Sequence, residues 1–419
     1  MLHRASSHLR HCVRLGLLVA LAVTSAEIKA DVVADWDRVA SDVLVANPAA
    51  HSFVHLAIAH VAIYDAVNAI DGRYSVYAIR PQADTQGASR EAAAAAAGYF
   101  LLSTLFPNQQ GMLDSAYSAS LAAIPDGAAE TKGIAVGKEV AEKVIALRAN
   151  DGRNAVVPYV FGSGPGVYQA TPPAFGQPIT PYLRFVTPFA LQRPDQFRAY
   201  GPPDVTSARY AADLSTVHEL GSATSTKRSA AQTEIGRFHT EPPFVFWSRN
   251  LRNVALERNL DTAQSARLFA MLHVALADSL IGCWDSKYYY NSWRPITAIA
   301  AADTDGNPAT SADAAWTPLA TTPPHPEYPA AHGCSAGAVV EALNGFFGTN
   351  KVKMTFTSTV PGSVPHVFKR TEEISDEIAA ARVYGGMHFP TSARHGVELG
   401  RKVGKWTVKN YFRPLRRGN

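Results

Sequence analysis

The sequence predicts an all-α protein. Three observations carry this reading. Apolar residues recur at helical spacing in "HSFVHLAIAHVAIYDAVNAI" (51–70), "REAAAAAAGYFLLSTLF" (90–106) and "DTAQSARLFAMLHVALADSLIGCWDSKYYYN" (261–291). Strand signals are few; "KVKMTFTSTV" (351–360) alternates weakly. Ten prolines fall between Pro158 and Pro203, a density that no helix survives, so a long irregular segment interrupts the helices. The 419 residues are 47% hydrophobic and 18% charged, enough to bury a sizeable core and unlike a disordered chain.

Taken in order, residues 1–30 have the layout of a secretory signal peptide. Arg4, Arg10 and Arg14 precede an apolar run, "LGLLVALAV" (15–23), and small residues follow, with cleavage sites after Ala26 or Ala30. The run is too short to span a membrane comfortably. The expectation is export, to the periplasm or the medium. These residues carry a net charge of +3, so their removal takes the formal +4 to +1 and leaves no case for nucleic acid binding. No later stretch has 18 uninterrupted apolar residues, so no transmembrane helix is expected. Cys12 lies in the leader. Cys283 and Cys334 remain, with no CxxC and too few thiols for a zinc site; an oxidising compartment permits a bridge that spacing alone does not decide.

Residues 31–150 read as an N-terminal helical part. Asp71-Gly72 ends its first long helix and Pro107 its second, and a third runs through "GIAVGKEVAEKVIALRAND". Residues 151–255 hold the proline-rich segment, followed by returning helices from about 205. Its many aromatics, Tyr159, Phe161, Tyr168, Phe175 and Tyr182 among them, argue that it wraps the fold rather than linking two parts. Residues 256–419 form the C-terminal helical part. Asp261 or Thr262 caps its long helix, with Leu268, Leu272, Ala275, Ser279 and Cys283 on one stripe.

Three short stretches carry the chemistry. In "WDSKYYYNSWRP" (284–295), Arg294 follows Lys287 by seven residues, close to two helical turns, so a helix running to Pro295 would point both cations the same way. Buried cations need an anion. In "YPAAHG" (328–333), Pro329 at the first helical position would leave the N–H groups of Ala330, Ala331 and His332 free to bind one. In "AARVYGGMHFP" (380–390), Arg382 ends a helix begun near Ile374, and Gly385-Gly386 turns the chain so that His388 can converge on it. Three cations, a helix start and two histidines suit a tetrahedral or trigonal-bipyramidal oxyanion, phosphate or its analogue vanadate.

At these residues the sequence resembles the vanadium-dependent haloperoxidases and the related type-2 phosphatidic acid phosphatases and bacterial acid phosphatases. That superfamily's signature runs Lys-x6-Arg-Pro, Pro-Ser-Gly-His, then Ser-Arg-x3-Gly-x-His-x3-Asp. Here it stands as Lys287, Arg294 and Pro295, then Pro329-Ala330-Ala331-His332, then Ala381-Arg382, Gly386 and His388. The resemblance implies helical bundles of that type. It implies that Lys287, Arg294, Arg382 and the Ala331 N–H bind the oxygens of vanadate, with phosphate able to occupy the same place. His388 would be the axial vanadium ligand, or in a phosphatase the nucleophile that forms phosphohistidine, and His332 the acid–base residue. The implied partners are hydrogen peroxide, a halide and an organic acceptor. Trp284 matches a tryptophan beside the site in chloroperoxidase-like members. His325 stands where bromoperoxidases carry a second histidine and chloroperoxidases a phenylalanine, which points to bromide or iodide. Asp278 resembles a carboxylate that pairs with a site arginine from behind. Ala330 and Ala331 replace the motif's serine and glycine. Ser392 replaces its aspartate, which removes the usual orienting partner of His388.

Other readings are weaker. "GCSAG" (333–337) fits a hydrolase elbow, but "PPHPEYPAAH" before it cannot be the strand an elbow needs. "HSFVH" (51–55) spaces two histidines as a metal-binding helix would, without the glutamate of HExxH or a third ligand, and reads as structural. An exported anion-binding protein without catalysis would explain the lost serine and aspartate but not five intact cationic and histidine positions.

Overall fold

The computed structural model describes residues 31–49 and 51–415; the signal-peptide reading of 1–30, with Cys12, lies outside them. Helices α1 (Val32–Ala46), α2 (Ser52–Asp71), α3 (Arg90–Leu105), α4 (Gln110–Ala122) and α5 (Ala128–Leu147) precede the proline-rich stretch. After it come α6 (Ala208–Gly221), α7 (Ala230–Phe238), α8 (Pro243–Glu257), α9 (Thr262–Tyr290), α10 (Pro295–Ala300), α11 (Ala331–Phe347), α12 (Thr371–Tyr384) and α13 (Pro390–Asn410). The run at 351–360 yields only β1 (Met354–Phe356), which pairs antiparallel with β2 (His366–Phe368), Thr355 opposite Val367.

Helix α9 is the axis of the fold. Asp261 caps it in a capping box with Gln264. The single apolar stripe expected for it is too narrow a description, because every residue from Leu268 to Lys287 is buried. Helices α2, α11 and α13 pack around it. Helices α2 and α9 are long and apolar enough to cross a membrane, yet their apolar windows are 89% and 100% buried inside the fold. Helices α11 and α13 approach closely because glycines face the contact. A Cβ at Gly396 would collide with the Ala330 carbonyl oxygen, and one at Gly400 with that of Cys334.

The proline-rich stretch is hydrogen-bonded to α9 and to the loop before α11. Between 152 and 204 its only helix is a 3-10 turn, Pro181–Phe185. Asp278 on α9 pins it, accepting the N–H groups of Phe189 (2.7 Å), Ala190 (2.7 Å) and Leu191 (2.8 Å). Ile179 donates its N–H to the Pro324 carbonyl at 2.9 Å, which ties the stretch to the loop before α11.

Candidate active site

Four chain segments converge at the C-terminal end of α9. The last turns of α9 carry Trp284 and Lys287. The helix stops at Tyr290, not at Pro295, and Asn291 caps it in the left-handed conformation (φ 50). Arg294 therefore lies off α9, at the N-cap of α10, and meets Lys287 because the chain turns back rather than through two helical turns. The second segment, 323–330, carries His325 and Glu327 and delivers the start of α11. Pro329 is not the first helical residue: Ala330 is the cap, Ala331 begins the helix, and the Ala330 N–H donates to Ser392 O at 3.2 Å. The N–H groups left without helical acceptors are those of Ala331, His332 and Gly333. Arg382 sits in the last turn of α12, and Gly386 (φ 75) turns the chain so that His388 enters from the fourth segment.

Lys287 and Arg294 are fully buried and Arg382 is 2% exposed. Lys287 Nζ donates to the carbonyls of Pro326 and Glu327, both at 2.9 Å. Arg294 donates through Nε to His325 O (2.8 Å), through one terminal nitrogen to Met387 O (2.9 Å) and His388 Nε2 (3.0 Å), and through the other to His325 Nδ1 (2.9 Å). Arg382 is the least satisfied. It reaches His239 O only at 3.4 Å and Met387 Sδ at 2.8 Å, and its buried Nε has no partner.

Glu327 is the residue the motif reading missed. Its Oε1 lies 2.8 Å from His388 Nδ1 and accepts the Phe389 N–H at 3.0 Å. The orienting carboxylate that Ser392 cannot supply thus comes from another place in the chain, and Ser392 lies beside it. A signal was available: Glu327 is the only acid between Asp313 and Glu341, set in an uncharged, proline-rich stretch. Since Arg294 can only donate, His388 Nε2 accepts and Nδ1 bears the proton. That tautomer leaves a lone pair on Nε2, as a metal ligand or nucleophile requires.

Burial sets the electrostatics. It pulls Lys287 down to about 8, Arg294 to about 10 and Arg382 to about 9, and for Arg382 the Arg294 charge adds to the effect. It pushes Glu327 up to about 7, against the pull of Arg294 and Lys287. Burial and the site cations hold His325, His332 and His388 well below the usual imidazole range, so all three are neutral. Three buried cations face one carboxylate. The imbalance of charge, the orphaned Arg382 Nε and the free helix-start N–H groups together fit an oxyanion, and they fit vanadate as well as phosphate.

The structure brings Lys287, Arg294, Ala331, His332, Arg382, His388, Trp284 and His325 together. The Trp284 and His325 rings lie 5.0 Å apart between centroids, tilted by 44°. It does not bring Asp278 to the site arginines; that carboxylate is committed to the wrapping segment, and its expected pairing is corrected accordingly. Cys283 and Cys334 are buried thiols facing each other with Sγ atoms 2.6 Å apart. Ser335 of "GCSAG" is inside α11, its hydroxyl donating to His332 O at 2.9 Å, so no hydrolase elbow exists there. A cavity of about 320 Å³ opens onto His332, Arg382 and His388, walled mainly by apolar groups such as Phe53, Ile179, Phe244 and Leu280.

Comparison with known proteins agrees with this geometry. Residues 267–417 match the family model of the VCPO second helical-bundle domain. Vanadium chloroperoxidase of Curvularia inaequalis is 30% identical over 158 residues, a match covering 30% of this chain and 25% of that protein's length. A bacterial vanadium-dependent iodoperoxidase structure superposes with TM-score 0.78 at 26% identity, covering 92% of this chain and 97% of the other. A bacterial vanadium-dependent chloroperoxidase in its holo form shares the fold, with TM-score 0.66 and 16% identity over 85% of this chain and 90% of that one. Residues 267–417 are thus similar in sequence to the second helical-bundle domain of vanadium chloroperoxidase, and the chain shares the fold of the vanadium-dependent iodoperoxidase over 92% of its length.

Proposed function

We propose that this chain is a vanadate-dependent haloperoxidase that uses hydrogen peroxide to oxidise bromide or iodide in preference to chloride. The observation that carries this reading is the set of three buried cations, Lys287, Arg294 and Arg382, facing only the single carboxylate of Glu327. Vanadate, once bound, supplies the centre that activates hydrogen peroxide toward a halide. Lys287, Arg294, Arg382 and the Ala331 N–H would hold its oxygens and withdraw charge from it. His388 would hold it through Nε2, the nitrogen Glu327 leaves unprotonated. His332, held neutral, would take up and return a proton at its ring. The apolar walls exclude water and leave space for an organic acceptor. The preference for heavier halides rests on His325 beside Trp284, and on the iodoperoxidase that aligns over 92% of this chain. The basic–apolar–small layout of residues 1–30 supports export as the setting.

The test uses mature protein stripped of phosphate, given orthovanadate, hydrogen peroxide and bromide or iodide, with halogenation of a dye as readout. Halogenation that needs vanadate and is suppressed by phosphate establishes the peroxidase, and His388→Ala should abolish it. Phosphate release from an aryl phosphate without halogenation would assign the phosphatase instead. Neither activity would leave an anion-binding protein.

A further inference from the structure

Two clusters outside the active site place three nitrogen or oxygen ligand atoms within 4.8 Å of one another: Asp37 with His60 and His273, and Glu377 with His239 and His366. Their surroundings separate them. Asp37 already has a cation, because Arg252 donates to its second oxygen at 2.6 Å. Its two imidazoles each leave a buried Nδ1 without any partner. With a cation already on its carboxylate and neither imidazole held from behind, this triad is a structural knot joining α1, α2, α8 and α9.

In the second cluster, among the described residues, no arginine or lysine pairs with the carboxylate, and one of the two imidazoles has its outer nitrogen held. Glu377 Oε1 on α12 lies 2.9 Å from Nε2 of His239, the C-cap of α7, and 2.7 Å from Nδ1 of His366 on β2. The far nitrogen of His366 meets Glu234 Oε2 at 2.8 Å, the carboxylate–histidine arrangement that orients a metal ligand. The His366 ring is also stacked on Phe238, 3.8 Å between centroids and 7° from parallel. Two carboxylates meet here, and among the described residues no lysine or arginine forms an ion pair with either. The side chains of His366, Glu377 and Glu234 are 11%, 19% and 27% exposed, which leaves a path for an ion.

We propose that His239 Nε2, His366 Nδ1 and Glu377 Oε1 form a divalent cation site of the zinc type, with Glu234 orienting His366. Two imidazoles and a carboxylate favour zinc over calcium or magnesium, which prefer all-oxygen shells. Ligand atoms around tetrahedral zinc stand about 3.4 Å apart, so the side chains open by about half an ångström as the ion replaces the shared protons. The ion fastens α7, β2 and α12 together directly behind the active site. The main-chain oxygen of His239 is the acceptor for Arg382, so the ion firms the support of an anion-binding cation.

The experiment is zinc titration calorimetry on tag-free full chain, first stripped with chelator, with cobalt(II) absorption as a second probe. One equivalent of zinc should bind, and cobalt should give the intense visible bands of a four-coordinate ion. Glu377→Gln and His366→Ala should lose binding, and Glu234→Gln should weaken it about 10–100-fold. His388→Ala should bind zinc unchanged, which separates this site from the vanadate reading. Glu234→Gln is the variant least able to disturb the fold, and unchanged near-UV circular dichroism qualifies each protein. Absence of zinc binding by the folded wild type, or equal affinity in Glu377→Gln and Glu234→Gln, would overturn the proposal.

Discussion

Glu327 Oε1 stands 2.8 Å from Nδ1 of His388, and this contact decides which nitrogen of the histidine is free. Without the carboxylate the ring could take the other tautomer and rotate away from Arg294. Glu327→Ala should therefore weaken vanadate binding about 10–100-fold, the usual cost of losing such an orienting partner. Glu327→Gln should cost less, since an amide oxygen can still accept the Nδ1 proton. Equilibrium dialysis with vanadate measures both, and an unchanged Kd in the alanine variant would show that His388 is oriented by Arg294 alone.

Anion affinity should fall as pH rises from about 7 to about 8. Lys287, pulled down to about 8, is charged below that value and neutral above it. Glu327, pushed up to about 7, is neutral below that value and negative above it. Both changes remove positive charge as pH rises, while His332 and His388 stay neutral throughout. Sulfate is the suitable probe, because its own charge is constant over this range. Unit charges 4 Å apart interact by about 4 kcal/mol at an effective dielectric constant of 20, so a tenfold loss or more is expected. In Lys287→Met the fall near pH 8 should vanish while that near pH 7 persists.

Arg382 should destabilise the anion-free protein. Its guanidinium is buried with a distant carbonyl, a thioether and an unpartnered Nε, and burial together with Arg294 pulls its pKa to about 9. Replacing such a group with an apolar side chain of similar length removes an uncompensated charge. Arg382→Met should stabilise the anion-free protein by about 1–3 kcal/mol and abolish the rise in Tm expected of the wild type on adding vanadate. A lower Tm without anion would mean that the arginine contributes more by packing than it costs in desolvation.

The fold and most of the site were legible in the sequence for identifiable reasons. Helical periodicity located α2, α3 and α9, and of the two caps the sequence offered for α9, Asp261 and Thr262, it is Asp261 that caps it. The order and spacing of Lys287, Arg294, His332, Arg382 and His388 picked out residues that the fold brings together at the end of α9. What failed was local geometry inferred from proline. Pro295 and Pro329 were natural helix punctuation, yet α9 stops five residues before Pro295, at Tyr290, and α11 begins two after Pro329. Left-handed Asn291 and the hydrogen bond from Ala330 N–H to Ser392 O set those ends, and neither is visible in a linear pattern. Glu327 was missed because its partnership with His388 spans 61 positions. Asp278 was misassigned for the converse reason: its partners are main-chain N–H groups, which carry no sequence signature.

The start of α11 is held in place by glycine. A Cβ at Gly396 on α13 would collide with the Ala330 carbonyl oxygen, so α11 would have to shift at the end that faces the anion. Gly396→Ala should destabilise the protein by about 1–3 kcal/mol, and its effect on vanadate affinity should exceed that of Gly404→Ala. A Cβ at Gly404 would also crowd α11, but at Ala338 and Glu341, two turns further along. Thermal melts and vanadate titrations of the two variants provide the comparison. Equal losses of affinity would show that α11 moves as a rigid rod.

Ala330→Ser should improve the site. Ala330 is the N-cap of α11, is fully buried and supplies no side-chain cap, so the helix begins without the hydrogen bond its position could make. A serine hydroxyl there would be one bond from the free N–H groups of α11 and near the oxygens of a bound anion. If it turns toward the anion it adds one hydrogen bond, worth about 0.5–1.5 kcal/mol, and vanadate binding should tighten about 2–10-fold. If it turns toward the helix it caps the N–H of Gly333 instead, which should raise Tm by the equivalent of about 1 kcal/mol and leave vanadate affinity unchanged. The two outcomes are told apart by measuring Tm without anion and Kd for vanadate on the same preparation. A gain in Kd without a gain in Tm shows that the hydroxyl serves the anion. A loss in both would show that the Ala330 pocket, closed by the facing Gly396, has no space for an oxygen.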